Sequence, residues 1–410
     1  MTTPTPPSPG SRSTLGGVGS PGSVRVPLYG DEFAADPHAR YAEMRALFGS
    51  IVPVELSPGV PATLVIGYRA AMQINNDPEG FSADPRAWEK NIPAECPILP
   101  IMRYRPNALR SSGDEHARYR KAIVDSIDAV GLHSVDATVE EIALAQVNTF
   151  CLDGEADLIS QYAFPVAVAY LNFMVGCPDD IGNRVAQSIA TMFEGDSAAE
   201  GETPFAGALV ALLDLKRREP GVDVATRLLA HEANLTDEEL VQQLVAIYCA
   251  GIAPLTNLIA NTLLLMLTDQ RYSGMAALTT RDALNELLFT DPPLANFGIT
   301  YPSRQIMVDK VWLPADQPVV TSMAACNNDP AMVGRYTGNN AHLTWGAGPH
   351  ACPAQDLAYL VAQNAIDQLF DLLPELRLSR PADQLSWRPG PFHRSLANLP
   401  VVFPPARTIF

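Results

Sequence analysis

The sequence predicts a mainly α-helical fold with small β-sheets, formed by one large domain. Apolar residues recur at helical spacing along most of the 410 residues, whereas β-like runs are few and short. No internal repeat or linker divides the chain. A hydrophobic fraction of 47% beside only 18% charged residues indicates a large buried core.

The predicted elements follow in chain order. Residues 1–25 are rich in Pro, Ser, Gly and Thr and lack the apolar stretch of a signal peptide, so we predict a disordered segment before a domain at residues 26–410. Apolar periodicity predicts helices at residues 34–48, 114–131, 135–152, 156–175, 186–193, 204–218, 280–289 and 354–372. Short apolar runs predict strands at residues 51–54, 62–68, 311–313 and 318–321.

A long central helix is predicted to begin after Thr236, which can form a capping box with Glu239. No charged residue lies between Glu239 and Asp269, so this stretch is long enough to span a bilayer. It contains several Gln and Asn residues, however, and charged residues are not concentrated at its ends as anchors. We interpret it as a buried helix and expect no membrane association.

The charge and the cysteines argue against several functions. A net charge of -17 disfavours binding to nucleic acid or to an anionic membrane surface. The six cysteines are scattered and form no Cys-x-x-Cys pair, unlike a zinc site or a disulfide framework. This cysteine usage suits a reducing compartment, and we expect a cytoplasmic protein.

Residues 345–352 carry the strongest chemical signal. They read Trp-Gly-Ala-Gly-Pro-His-Ala-Cys and directly precede an apolar helix. A metal-bound thiolate needs a rigid, partly desolvated loop that directs backbone N–H groups at the sulfur. Gly346 and Gly348 permit the turns of such a loop, and the N-terminus of the next helix would stabilise a negative sulfur at Cys352.

This segment resembles the haem-binding loop of the cytochrome P450 family, in which an aromatic residue, two glycines, a basic residue and a cysteine occur in this order. The resemblance implies the cytochrome P450 fold and a haem b cofactor. It implies Cys352 as the axial ligand and His350 as a contact of a haem carboxylate. Trp345 stands where the family more often has Phe, Ala354 where it commonly has Gly, and Tyr359 where an Arg often follows.

A second segment supports the resemblance. Residues 113–120 read Gly-Asp-Glu-His-Ala-Arg-Tyr-Arg and resemble the helix that contributes a His and an Arg to the haem carboxylates in this family. The spacing of four residues places His116 and Arg120 on one helix face, as binding of anionic carboxylates requires. The resemblance extends over nearly everything after residue 26.

Two departures from the family's pattern bear on the chemistry. The family's Glu-x-x-Arg helix appears as Glu286-Leu287-Leu288-Phe289, without the arginine. An unpaired buried Glu is costly. Either Arg335 compensates for the loss, or this region is packed differently.

The second departure lies in the central helix, where the family has Ala-Gly-x-acid-Thr and this chain has Ala250-Gly251-Ile252-Ala253-Pro254. The acid and the alcohol supply protons during the reduction of dioxygen, and neither Ala253 nor Pro254 can donate one from its side chain. Pro254 should also kink the helix and open space there. Thr256 follows two residues later and could act as the relay, although it is turned by about 200° from position 254.

Several functions remain open at this stage. The leading one is a haem-thiolate oxidoreductase of bacterial secondary metabolism that acts on a small, aromatic molecule. Oxidative coupling through a C–C or C–N bond, for instance on a cyclic dipeptide, and conventional hydroxylation of a small apolar molecule are close rivals. A non-catalytic haem-binding or ligand-sensing protein would need no proton relay. A helical ligand-binding protein without haem would require the cysteine loop to be coincidental.

The resemblance further implies a monomer that receives electrons from a ferredoxin. Six basic residues concentrate positive charge on an otherwise acidic protein: Arg103, Arg105, Arg110, Arg118, Arg120 and Lys121. Such a patch could steer an acidic redox partner to the thiolate side of the haem. An ordinary solvated basic face is an equally simple interpretation.

Overall fold

The computed structural model describes residues 24–193, 198–272, 277–332 and 339–408. Disorder is predicted for residues 1–25, of which residues 1–23 lie outside the described residues. Arg335 also lies outside them. The described part of the chain forms a mainly helical fold with small sheets, which confirms the predicted fold class.

Fifteen α-helices form most of the described structure. They are α1 Asp31–Ala35, α2 Pro37–Phe48, α3 Tyr68–Asn75, α4 Arg86–Glu89, α5 Leu99–Met102, α6 Gly113–Asp128, α7 Val135–Val147, α8 Phe164–Val175, α9 Asp179–Phe193, α10 Ala198–Arg218, α11 Val224–Ala230, α12 Asp237–Thr268, α13 Thr280–Thr290, α14 Met323–Asn327 and α15 Gln355–Leu372. The largest hydrophobic core joins α6, α7, α8, α10, α12, α13 and α15.

The strands form one mixed sheet and two smaller ones. They are β1 Val26–Pro27, β2 Ile51–Ser57, β3 Val60–Val65, β4 Phe81–Ser82, β5 Glu155–Asp157, β6 Asn296–Pro302, β7 Ile306–Val308, β8 Val311–Leu313, β9 Val319–Ser322, β10 Arg377–Leu378 and β11 Pro400–Val402. The six-stranded sheet has the order β1-β2-β3-β9-β6-β4, the three-stranded sheet has the order β10-β11-β5, and β7 pairs with β8. A second core packs one face of the large sheet against α2.

The central helix α12 runs through the protein interior. Thr236 and Glu239 form the predicted capping box at its start. It is the one helix in the described residues that is long and apolar enough to cross a membrane. Its apolar side chains, among them Leu244, Tyr248 and Ile259, are nevertheless buried inside the protein. The helix also continues across Pro254, so the kink predicted there does not interrupt it.

Two predicted helices begin earlier than expected, at Asp179 and Ala198, and three predicted elements differ in type or continuity. The helix predicted at residues 34–48 is split at Asp36, because that side chain caps α2 at the Ala39 N–H and Pro37 occupies the first turn. The helix predicted at residues 156–175 begins as β5, since Ala156 pairs with Val401 of β11. The strand predicted at residues 62–68 ends at Val65, and α3 follows it.

Candidate active site

The loop before α15 is held in one conformation by its glycines and by backbone hydrogen bonds. Gly346 and Gly348 have φ values of +73° and +69°, a region that favours glycine. A Cβ at Gly348 would also overlap the carbonyl oxygen of Asn75 at the end of α3. The N–H of Cys352 donates to the carbonyl of Trp345 at 2.6 Å, which closes the loop. The predicted loop residues therefore form one rigid turn that presents Cys352.

The Cys352 thiol lies deep in the protein but keeps some accessible surface. Burial raises its pKa, while a hydrogen bond from the Ala354 backbone and the charge of Arg120 act in the opposite direction. Coordination to a cationic metal would lower the pKa of this thiol, because a metal-bound thiol is deprotonated. The thiol thus has the supporting contacts of a metal ligand.

Three further residues predicted for the site lie beside this loop. The rings of His116 on α6 and His350 are tilted against each other with centroids 4.0 Å apart. Arg120, one turn beyond His116, donates from Nη2 to the carbonyl of Ala351 at 2.6 Å. Burial lowers the pKa of His116, and burial together with the charge of His116 lowers that of His350 to about 3. The Nε2 atom of His116 is buried without a hydrogen-bond partner in the described residues.

The middle of α12 has an accessible stretch inside the protein. Cys249 and Ala250 are exposed and Ala253 and Pro254 are partly exposed, although residues 243–248 immediately before them are buried. Burial nevertheless raises the pKa of the Cys249 thiol to about 11. A side chain that is both desolvated and accessible is typical of a cavity wall, and we interpret this stretch as facing a cavity.

The other two residues predicted on this helix have different environments. A Cβ at Gly251 would collide with the side chain of Leu171, so this glycine permits close packing of α12 on α8. Thr256 is buried, and its Oγ1 has no hydrogen-bond partner in the described residues. The relay role proposed for Thr256 therefore stays a prediction, whereas Gly251 has a packing role.

The loop that follows Pro391 contributes a histidine that no local sequence pattern predicts. Burial lowers the pKa of His393 to about 4, yet its ring keeps accessible surface and has no hydrogen bond in the described residues. Its ring lies 6.0 Å from that of Phe297 on β6. Asn261 of α12 donates to the carbonyl of the next residue, Arg394, at 2.9 Å. We interpret His393 as a further residue that faces the cavity beside α12.

Comparison with known proteins agrees with this architecture. No family model matches the chain. The cytochrome P450 monooxygenase PikC of Streptomyces venezuelae is 28% identical over 410 residues, covering 95% of this chain and 96% of the relative. The solved CYP154C4 from a Streptomyces species has a TM-score of 0.83 at 24% identity over 93% of this chain and 98% of its own. The solved cytochrome P450 enzyme CxnD, described as forming a C–S bond in chuangxinmycin biosynthesis, has a TM-score of 0.78 at 20% identity and covers 93% and 99% of the two chains.

The chain has the cytochrome P450 fold, and its homologues and structural neighbours are bacterial cytochrome P450s. It is therefore an oxidoreductase whose cofactor is a thiolate-ligated haem. Its cytochrome P450 homologues bind small-molecule substrates and take electrons from redox partners.

The residues of the site fit this cofactor. Haem carries two carboxylates, and a thiolate-ligated haem also needs a sulfur ligand to its iron. Cys352 provides a sulfur at the end of a rigid loop, and His116, Arg120 and His350 form a basic cluster beside it. No carboxylate pairs with these three basic side chains in the described residues, and the Nε2 atom of His116 lacks a partner. An anionic group would satisfy them.

The Glu-x-x-Arg departure of this cytochrome P450 has a structural solution. Glu286 accepts from Arg271 at 2.7 Å and from the Tyr272 hydroxyl at 3.0 Å. Phe289, in the position of the missing arginine, is buried with its ring against His342. The region is thus packed around Arg271 and Tyr272, whereas the predicted role of Arg335 lies outside the described residues and stays a prediction.

An amide network ties this part of α13 to the cysteine loop. Asn327 donates from Nδ2 to the carbonyl of Leu288 at 2.9 Å and to Thr344 Oγ1 at 3.1 Å. Its Oδ1 accepts from the Leu343 N–H at 2.7 Å. Asn328 donates to the carbonyl of Phe289 at 3.1 Å. The carbonyls at the end of α13 are therefore satisfied without an arginine.

The predicted basic patch requires correction. Arg103 and Arg105 both pair with Glu202, and Arg118 pairs with Glu239. Lys121 contacts Asp125 and Glu232, Arg120 is partly buried against Ala351, and Arg110 is buried. Because acidic partners or burial neutralise or hide these charges, they do not form the exposed patch expected from the sequence.

Proposed function

We propose that this cytochrome P450 binds haem b through Cys352 and couples a small aromatic secondary metabolite oxidatively, as a cytoplasmic monomer. His116, Arg120 and His350 bind the haem carboxylates, and the loop residues Trp345, Gly346 and Gly348 hold Cys352 in place. The bound haem supplies the oxidising chemistry.

The observation that carries the proposal is the accessible stretch of α12. Ala250, Ala253 and Pro254 present no side-chain proton to the cavity. Cys249 does carry one, but its raised pKa keeps the thiol protonated near neutral pH. Pro254 also lacks the N–H that would bond to the Ala250 carbonyl, which leaves a backbone acceptor beside the cavity. The protein thus contributes an acceptor here where the family has an acid and an alcohol.

Coupling suits a site of this kind because the substrate brings its own protons. Formation of one C–C or C–N bond, for instance on a cyclic dipeptide, breaks two C–H or N–H bonds and releases two electrons and two protons. The redox partner supplies two further electrons and the solvent two protons, so that dioxygen becomes two water molecules. The product then contains no oxygen atom from dioxygen. Bond formation is also the stated role of CxnD, which shares this fold.

Conventional hydroxylation is the second candidate, and one observation favours it. The Oγ1 of Thr256 is buried without a partner, and such a hydroxyl could hold an ordered water near the cavity. Water held in this way would supply the protons that O–O bond cleavage requires. The relative PikC is named a monooxygenase, which agrees with this candidate.

Turnover under isotopically labelled dioxygen separates the two candidates. The substrate for this test is a small aromatic metabolite from the genes beside this one, with a cyclic dipeptide as the first choice. We expect a coupled product without label. The double substitution Ala253→Glu with Pro254→Thr should divert flux to hydroxylation or peroxide. Efficient incorporation of one labelled atom by the wild-type enzyme would overturn coupling, and Thr256→Ala would then test the relay.

A non-catalytic haem-binding or ligand-sensing role is the alternative of another class, since a sensor needs no proton relay. Turnover with a chemical reductant and a candidate aromatic substrate decides between them. An enzyme consumes the reductant in proportion to product. A sensor would bind the same molecule and shift its haem spectrum without forming product.

The redox partner in this proposal is a ferredoxin. Since most of the basic side chains near α6 already have acidic partners, long-range steering by them should be weak. We therefore expect the rate of reduction by ferredoxin to fall only slightly as salt is raised. A steep fall with salt would show that this surface steers the partner after all.

A further inference from the structure

Arg110 is a buried guanidinium that has no counterion among the described residues. It is 3% exposed, and burial lowers its pKa. Its Nη2 donates to the Ile101 carbonyl at 2.8 Å, and its Cζ lies 5.4 Å from the ring centroid of Phe297. No carboxylate pairs with it in the described part of the chain. A guanidinium of this kind retains most of its donors for a further partner.

Another buried arginine shows how this chain normally satisfies such a group. Arg394 is 9% exposed, and its Nε donates to Asp291 at 3.0 Å. It also donates to the carbonyl of Ala34. Only these two arginines are buried among the described residues, and only Arg394 has an acidic partner. Because an uncompensated buried charge is strongly destabilising, Arg110 requires an anion that the described part of the chain does not supply.

The loop that carries Arg110 is fixed to the central helix. Gln243 of α12 is buried, accepts from the Ala108 N–H at 3.1 Å and donates to the Pro106 carbonyl at 3.0 Å. Asn107 Oδ1 accepts from the N–H of Arg110 itself at 3.1 Å. These bonds hold the guanidinium in one place, as a preformed binding group requires.

The same loop adjoins the basic cluster of the active site. His350 makes a hydrogen bond to the backbone of Ala108, two residues before Arg110. The charge of Arg110 acts on His350 together with those of His116 and Arg120. Arg110 is thus a fourth basic group beside the cluster of His116, Arg120 and His350, and it lies on the side of that cluster where Phe297 is located.

We propose that Arg110 binds one carboxylate of the haem, sharing the two carboxylates with His116, Arg120 and His350. The inference rests on the haem site proposed above and adds a residue that lies outside the two motifs carrying it. Arg110 donates a charge-assisted hydrogen bond to this carboxylate. Because the guanidinium is planar and held in place, it binds the carboxylate in one orientation. Its role is to position the cofactor.

The test compares Arg110→Met with the wild-type holoenzyme, each loaded either with haem or with haem whose carboxylates are methyl esters. The measurement is the rate of haem release to an excess of apomyoglobin. Loss of Arg110 should speed release of haem about tenfold or more. Esterification should speed release from the wild type by a clearly larger factor than from Arg110→Met, since that variant has already lost one contact.

The midpoint potential provides a readout that does not depend on release. A carboxylate freed from its guanidinium stabilises the oxidised metal, so Arg110→Met should have a lower potential than the wild type. Arg110→Lys keeps the charge and should retain most of both properties. It also serves as the informative variant if Arg110→Met does not fold. Arg45→Met removes an arginine that pairs with Asp329 elsewhere and should leave the ester comparison unchanged.

The inference would be overturned if esterification sped haem release by the same factor in the wild type and in Arg110→Met, and if the midpoint potential were unchanged. Arg110 would then have a structural role alone. Equal release and potential in Arg110→Lys and Arg110→Met, both altered, would show that the guanidinium geometry is required. That result would support the inference. Failure of the wild-type protein to bind haem through a thiolate would instead overturn the proposed function on which this role depends.

Discussion

Replacing Phe289 with arginine would restore the Glu-x-x-Arg pattern, and the structure predicts that it would harm this protein. Phe289 is 6% exposed, and its ring lies edge-on to His342 with centroids 5.0 Å apart. Glu286, the natural partner of an arginine at this position, already pairs with Arg271 and Tyr272. An arginine here would therefore enter an apolar site whose acidic group is already bound.

The magnitude follows from three contributions. Loss of the buried Phe289 side chain costs roughly 1.5–3 kcal/mol in free energy of unfolding. Loss of the ring contact with His342 costs about 0.5–1 kcal/mol more. A buried guanidinium without a partner adds a further penalty. We expect Phe289→Arg to lower the free energy of unfolding by about 3 kcal/mol or more.

Urea unfolding of the holoenzyme, followed by haem absorbance and by tryptophan fluorescence, measures this effect. Phe289→Leu is the matched control, because it keeps an apolar side chain and should cost roughly 1 kcal/mol. Phe289→Arg should also release haem faster, since Asn327 links the end of α13 to the cysteine loop. A variant as stable as the wild type, with unchanged haem retention, would refute this reasoning and show that Glu286 exchanges its partner.

Two further predictions concern histidines. The double variant His116→Ala with Arg120→Ala should release haem clearly faster than the wild type while keeping its thiolate spectrum; unchanged release would mean that the carboxylates are held elsewhere. Burial lowers the pKa of His342 to about 4, so between that value and about 6.5 the unfolded chain binds a proton at this site that the folded chain does not. The contribution of His342 to stability therefore falls as pH falls through this window. Urea midpoints near pH 7 and pH 5 should show a smaller loss for His342→Gln than for the wild type, and an equal loss would assign the acid sensitivity to other groups.

Local signals made the core of the site predictable. The turn that presents Cys352 depends on glycines that lie within six residues of it, and the two basic residues of α6 are one helical turn apart. Both signals are contained in short stretches of sequence. For the same reason, Thr236 and Glu239 predicted the start of α12 correctly.

Other features depend on contacts between distant segments and gave no local signal. The sequence suggested that Arg110 belongs to an exposed basic patch, but hydrogen bonds to Gln243, more than a hundred residues later, bury its loop. Ala156 joins a strand rather than a helix because it pairs with Val401, which lies near the C-terminal end of the chain. His393 faces the cavity only because its loop packs against β6 and α12. Burial and pairing of this kind are set by tertiary structure.

The central claim is that Cys352 is the axial ligand of a haem-thiolate enzyme, and the absorption spectrum of the reduced carbon-monoxide complex tests it most directly. The wild-type protein should absorb at the position typical of thiolate-ligated haem, and Cys352→Ala should lose that band. Cys249→Ala and Cys326→Ala should keep it, because Cys249 lies on α12 and Cys326 is buried beside β3. A wild-type spectrum typical of histidine ligation, or an unchanged band in Cys352→Ala, would contradict the account.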